Sequence, residues 1–328
     1  MMRDHYVFNN GRLKRKDNTV YFIKDDGQKQ PLPVEQIRNL HVFGEVDFNT
    51  KLLNFLSQFD ICIHVYNYYG FYAGSYYPRA KSPSGVTIVN QSAHYLDHYK
   101  RMFLAASFVQ GAVHHMLRNI RRYKEKTAHY VEQIESEVLK LQDCRTIQEI
   151  MGVEGRIRKL YYQSFNDILN QPFVFEKREK RPPRDPLNAM LSFGNQLAYR
   201  TVLSEIYRTP LDPTISYLHE PSTKRFSLSL DIAEIFKPLL VDPIVISLVN
   251  KRMISQKHFD YLEDEVVYLN EEGKQKFILA WEDRLKRSVK HRTLKRQTSY
   301  RYLIRLECYK LIKHVINDEV YKPLKAWW

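Results

Sequence analysis

No run of apolar residues in this 328-residue chain approaches the roughly 18 that a membrane-spanning helix needs. The opening, MMRDHYVFNN, carries no apolar core of the kind a secretion signal has, so no export is expected. Cysteine is scarce. Cys62, Cys144 and Cys308 are odd in number and far apart, which fits neither a disulfide framework nor a zinc ribbon. Each reads as a reduced structural thiol, and a cytoplasmic location is expected. The glycine signatures of nucleotide and acyl chemistry are missing: there is no P-loop, no G-x-G-x-x-G and no G-x-S-x-G. There is no internal repeat and no low-complexity tract. Acidic residues are the minority, 37 against 51 Lys and Arg, which leaves a net charge of +14.

What is present is a globular composition, 44% apolar and 27% charged. The length exceeds one small domain and suffices for a large core. With 23 Tyr and 17 Phe beside the cationic excess, and a pI near 9.4, nucleic acid is the favoured partner. A membrane surface is disfavoured, because no stretch joins a basic face to an apolar one at helical spacing.

The pattern along the chain predicts an α+β protein with a small β domain over 1–84 and a larger all-α domain over 85–328. YVFNNGRL and VYFIKDDGQ place Asn-Gly and Asp-Gly between β-prone runs, a hairpin signal. DICIHVYN alternates as a half-buried strand does, and FNTKLLNFLSQF suits a short helix. After KSPSG the period changes. Tyr99, Met102, Phe103, Ala106, Val109, Val113, Met116 and Ile120 step by three or four, which predicts a long amphipathic helix. Val131, Ile134, Val138 and Leu141 repeat the pattern, and a third helix is expected from near Val153. Asp185 and Pro186 suit the cap and first turn of another. The chain from 230 to 318 reads as mostly helical.

Three features carry chemistry. In SLDIAEIF, Asp231 and Glu234 lie three apart, on one face of a helix. Carboxylates that close repel each other unless a cation or proton intervenes; otherwise the pair is a solvated acidic patch. His219 stands between Pro213 and Pro221, only 12 residues from Asp231, so bringing the two together costs little loop entropy. Glu154 falls on the stripe of Ile157, Tyr161, Phe165 and Ile168, which writes a carboxylate onto an apolar helix face. Such burial needs a compensating arginine, proton or metal ion; the plainer alternatives are an acid favoured by the helix dipole or one paired with Arg158 at i+4. Together, Glu154, His219 and the D-x-x-E pair would form an oxygen and imidazole site suited to Mg²⁺ or Mn²⁺.

From Trp281 to Lys310 the chain holds ten Lys or Arg against three acids. Read as helical, Arg284, Arg287, Lys290, Arg292, Lys295 and Arg296 would spread around much of a circumference and track a phosphate backbone, positioning DNA without reading its sequence. A solvated helical face is the alternative. The loop at 177–184 adds Lys177, Arg178, Lys180, Arg181 and Arg184. Trp327 and Trp328 at the end of YKPLKAWW suit stacking on a base, docking on a partner or packing on their own core.

GVEGRIRKLYY, NAMLSFGNQLAY and DPTISYLHEPSTKRFSLSLDIAEIFKP, in that order, resemble the CRISPR-associated spacer-acquisition integrase, the first and most widespread of the Cas adaptation proteins. The resemblance covers essentially the whole chain; the first 80 residues share only its general character. It implies a divalent-metal site from Glu154, His219 and Glu234, supported by Asp231; many members have Asp where Glu234 stands. Lys224, in STKRFS, falls near a basic position of the family site, where with Arg225 it would meet a phosphate. Asn188 and Ser192 fall in a shared stretch, as helix packing or as support for the site. The implied reaction joins the 3′-hydroxyl ends of a short captured DNA to the leader end of a CRISPR repeat by transesterification, with associated endonuclease activity. The implied assembly is two homodimers, each formed through the β domain, that flank a dimer of a small ferredoxin-like second adaptation protein. Two other readings use the same residues differently: a stand-alone metal-dependent nuclease for branched DNA, and a non-catalytic DNA-binding scaffold.

Overall fold

In the computed structural model the early strands, of which TVYFIK is the richest in β-branched and aromatic residues, pair into two sheets. The structure describes residues 2–67, 69–78, 84–170, 173–179, 182–223 and 226–328, except for the side chain of Asp264. The chain divides into two units, Met1–Lys81 and Ser82–Trp328. Strands Arg3–Val7 (β1), Gly11–Lys16 (β2), Thr19–Lys24 (β3), Lys29–Pro33 (β4), Ile37–Val42 (β5) and Val46–Asp47 (β6) precede the helix Thr50–Gln58 (α1), which Asn49 caps. Cys62–Tyr66 (β7) and Tyr72–Tyr76 (β8) follow. The sheet orders are β1-β5-β7-β8 and β4-β3-β2-β6. Leu13, Val20, Phe22, Leu40, Val42, Phe55, Leu56 and Ile63 share the core of this unit.

Only one of the two expected hairpins forms. Asp26-Gly27 joins β3 to β4, which pair antiparallel. Asn10-Gly11 joins no pair: β1 runs parallel to β5, and β2 pairs with β3 and β6 in the other sheet. Gly11 adopts φ +149°, and a Cβ there would stand 2.2 Å from the Ile23 carbonyl oxygen. The glycine thus serves a change of sheet rather than a reversal. β7 is buried along most of its length and not half-buried, as befits a strand flanked on both sides, in parallel by β5 and antiparallel by β8.

The second unit is helical: Gly85–Leu96 (α2), His98–Ile120 (α3), Lys124–Leu139 (α4), Ile147–Gln163 (α5), Phe165–Ile168 (α6), Pro186–Ile206 (α7), Ser227–Phe236 (α8), Asp242–Asn250 (α9), Glu271–Lys286 (α10) and Tyr300–Val315 (α11). Short hairpins, Phe259–Tyr261 (β9) with Val267–Leu269 (β10) and Ser288–Lys290 (β11) with Gln297–Ser299 (β12), interrupt the last helices. α3 packs on α5 and α8, and α8 also packs on α7, so α8 lies at the centre of the unit. A Cβ on Gly194 of α7 would meet Val241 at 2.5 Å and Phe277 at 2.7 Å, so only glycine permits this approach. Among the described residues, no helix is long and apolar enough to cross a membrane.

Several sequence expectations shift. The helix predicted from Val153 starts at Ile147, because Thr146 and Glu149 close a capping box. Tyr99 is 84% exposed and Phe103 40%, so the buried stripe of α3 begins further on, at Leu104. The basic run 281–310 is not one helix. α10 stops at Lys286, Val289 pairs with Thr298 across the β11–β12 hairpin, and Ser299 caps α11. Trp327 and Trp328 pack on their own chain: the Trp328 indole N–H donates to the Tyr300 hydroxyl at 2.5 Å, and Trp327 lies edge-on to His291.

Candidate active site

α8 carries both acids of the D-x-x-E pair into the interior: Asp231 is 0% exposed and Glu234 4%. Their mutual repulsion is avoided because they answer to different partners. Asp231 accepts from the backbone N–H groups of Tyr217 (2.6 Å), Leu218 (3.0 Å) and His219 (2.9 Å), and its Oδ1 lies 2.8 Å from His219 Nδ1. One buried carboxylate thereby folds the 216–219 segment around itself. Ser216 closes that turn by donating to the His219 carbonyl at 2.5 Å.

Glu234 faces cations. Lys237 Nζ, one turn on, stands 2.5 Å from its Oε1, and Arg158 of α5 donates to its Oε2. Burial by itself raises a carboxyl pKa, but Arg158, Lys237 and His219 outweigh it and hold Glu234 well below the usual carboxylate range. Lys237 also approaches the Tyr199 hydroxyl at 3.3 Å.

Glu154 occupies the rim of the apolar stripe of α5, its side chain 21% exposed, and not the stripe's interior. Its compensating charge is Arg158 at i+4, whose Nε donates to Glu154 Oε1. The same guanidinium therefore grips Glu154 and Glu234 together. Burial lowers the Arg158 pKa, and the two carboxylates more than reverse that, so it stays charged.

His219 completes the group. Because Nδ1 is held by Asp231, the proton belongs on Nδ1 and the Nε2 lone pair is free. Nε2 stands 4.0 Å from Glu234 Oε1. Among the described residues, no three His, Cys, Asp or Glu side chains already stand close enough to hold a metal ion. The donor set nonetheless fits Mg²⁺ or Mn²⁺. It offers two carboxylates and one imidazole whose tautomer a supporting carboxylate fixes, and the 4.0 Å gap is near twice a ligand distance of about 2.1 Å. Glu154, His219 and Glu234 would hold the ion, with Asp231 behind His219.

The remaining predicted residues divide. Arg287, Lys290, Arg292, Lys295 and Arg296 are exposed on and beside the β11–β12 hairpin. Arg284 instead turns inward: Nη2 donates to the Leu239 carbonyl at 2.7 Å and its guanidinium lies 5.1 Å over the Tyr300 ring. Burial and the neighbouring Arg287, Arg122 and Arg118 push its pKa down to about 10. Arg178 is also drawn in, donating to Asn188 Oδ1 at 2.6 Å and Ser192 Oγ at 3.0 Å. Asn188 and Ser192 are thus anchors for a half-buried arginine. Lys180, Arg181, Lys224 and Arg225 lie outside the described residues.

Sequence reasoning missed Lys237 and Asp242. The E-x-x-K spacing from Glu234 signals the first. Asp242 opens α9 directly after a π-helical turn at Lys237–Val241. It is 1% exposed and lies beside the Tyr161 hydroxyl, with no ion pair among the described residues. Burial pushes its pKa up to about 7; Tyr161, Arg158, Lys237 and Arg178 offset this only in part. Nothing in its local sequence marks it.

Comparison with known proteins identifies the family. The sequence matches the family described as CRISPR associated protein Cas1 over residues 5–283. It is 57% identical to a CRISPR-associated endonuclease Cas1 of Clostridium perfringens, with all of both chains covered. A Cas1 protein from Thermotoga maritima superposes with a TM-score of 0.85 at 40% identity, covering 98% of this chain and 100% of that one. A casposase bound to integration product shares the fold, with a TM-score of 0.86 at 19% identity over 99% of this chain and 94% of its own. The match to the family over most of the sequence, and a relative this similar from end to end, show that the chain belongs to the Cas1 family.

Proposed function

We propose that this protein is a divalent-cation-dependent DNA endonuclease and integrase of CRISPR adaptation, which joins the 3′-hydroxyl ends of a short captured DNA to the leader end of a repeat. The observation that carries the reading is the meeting of Glu154, His219 and Glu234 from three separate segments, with His219 Nε2 turned toward Glu234. The endonuclease named among its relatives supports it.

A bound Mg²⁺ or Mn²⁺ would supply Lewis-acid activation of a hydroxyl and charge stabilisation at phosphorus. The chain does the rest by positioning. Asp231 keeps the His219 proton on Nδ1, so that Nε2 presents a lone pair. Arg158 and Lys237 keep Glu234 ionised in a buried setting. The exposed cations of the β11–β12 hairpin hold the DNA backbone, and no nucleotide fuel or covalent enzyme intermediate is required. Attack by a 3′-hydroxyl gives joining; attack by water at the same site gives cleavage. The protein works as a cytoplasmic homodimer beside a small ferredoxin-like second adaptation protein, whose presence distinguishes integration from stand-alone cleavage of branched DNA.

The test is strand transfer of a short 3′-hydroxyl donor into supercoiled repeat-bearing DNA, with Mg²⁺ or Mn²⁺ against EDTA, with and without the companion protein. Glu154→Gln should reduce metal-dependent joining by about 100-fold or more while DNA affinity stays within about threefold. Equal loss of both would make Glu154 structural, and binding without joining or cutting in every condition would leave a scaffold.

A further inference from the structure

Arg158 already stands where the cation reading needs a positive charge. Its Nε donates to Glu154 and its Nη2 to Glu234, so one guanidinium spans two of the three ligands assigned to the ion. An arginine does not leave such a place by losing its proton. A divalent cation that takes both carboxylates must displace the side chain bodily. The Arg158 side chain is only 13% exposed, so the displaced charge needs another anion, because burying it unpaired is costly.

Asp242 is that anion. It is buried beside the Tyr161 hydroxyl, it has no ion pair among the described residues, and the positive charge of Arg158 favours its ionised form. Of the other nearby cations, Lys237 shares Glu234 with Arg158 and also reaches the Tyr199 hydroxyl, and Arg178 is committed to Asn188 and Ser192. Asp231 is saturated by His219 and three backbone N–H groups.

We propose that Arg158 is a built-in competitor for the divalent cation, gripping Glu154 and Glu234 until the ion takes them and then moving to Asp242. The inference rests on the metal reading of the site and adds a residue that sets cation affinity without touching the ion. Displacement of the arginine is part of every binding event, so apparent affinity is weaker than the three ligands alone would give. The competitor also keeps the two carboxylates close together before the ion arrives.

The experiment is titration of the full-length protein with Mn²⁺, following the free-ion electron paramagnetic resonance signal. Arg158→Gln should bind Mn²⁺ about tenfold or more tighter than the native protein, within the usual range of coupling energies. Asp242→Asn should bind more weakly, and should change nothing further in the Arg158→Gln background. If Arg158→Gln fails to fold, Arg158→Lys, which cannot fork across both acids, should still bind tighter. Equal or weaker binding by the Arg158 variants overturns the competitor and leaves the metal site standing. An Asp242 effect that persists without Arg158 overturns Asp242 as its destination. Absence of bound Mn²⁺ in native and variant proteins alike overturns the metal site and this inference with it.

Discussion

Asp231→Asn is the substitution that most directly tests how His219 is held. Asp231 Oδ2 accepts from Tyr217 N and Leu218 N, and Oδ1 from His219 N and the His219 ring, all within 2.6–3.0 Å. An asparagine has one acceptor oxygen and one NH₂ group. With the oxygen toward His219, two backbone N–H groups lose a charged acceptor. With the oxygen toward Tyr217 and Leu218, the His219 backbone N–H is orphaned, and the ring must accept at Nδ1 and carry its proton on Nε2. At about 1.5–3 kcal/mol for each hydrogen bond to a charged group, the cheaper arrangement costs about 2 kcal/mol and the dearer about 3–6. For a helical unit of this size that lowers Tm by about 4–8 °C at the cheaper limit, using about 2–4 °C per kcal/mol. The cheaper arrangement also blocks the Nε2 lone pair, so strand transfer and Mn²⁺ binding should fall even at temperatures where the variant is folded. Calorimetry together with Mn²⁺ titration measures both effects. An Asp231→Asn protein with native Tm and native Mn²⁺ affinity would refute the reasoning, since no orientation of the amide satisfies all four donors.

Two further outcomes follow from charge. Asp242 has a folded pKa of about 7 against an ordinary 3.8, so between those values the folded state binds the extra proton and its contribution to stability falls as pH rises. That loss, up to about 4 kcal/mol, should accumulate between about pH 4 and 8. Asp242→Asn should gain on the native protein at pH 8 relative to pH 5 in thermal melts, and an identical pH profile for both would contradict it. Replacing Lys290, Arg292, Lys295 and Arg296 by Gln should lower the salt dependence of DNA affinity by up to about 0.9 units of slope per lost phosphate contact, and an unchanged slope would take the hairpin out of the DNA path.

Local signals were legible where the physics is local. Asp185 caps α7 and Pro186 enters its first turn, as their types suggest. The α1 helix and the Asp26-Gly27 hairpin follow from spacing and turn chemistry. The D-x-x-E acids share a helix, as three-residue spacing requires. Asn10-Gly11 misled because a glycine that permits a turn also permits a crossing to another sheet, and which occurs depends on strands 30 residues away. The basic run misled because charge density says nothing of where a helix ends; the pairing of β11 with β12 decides that.

By itself, the sequence determined a β unit followed by a helical unit, a cationic surface, and the stretches that identify the family. It also placed a carboxylate at Glu154 that had to find a countercharge. Only the tertiary structure decided which charge that is. Arg158 is local to Glu154, yet its grip on Glu234 spans 76 residues and depends on how α5 lies against α8. The burial of Asp242 and the inward turn of Arg284 are likewise consequences of packing. Helical periodicity is set by neighbours three and four residues away, whereas the meeting of side chains across helices is set by the burial of whole faces, which no short stretch contains.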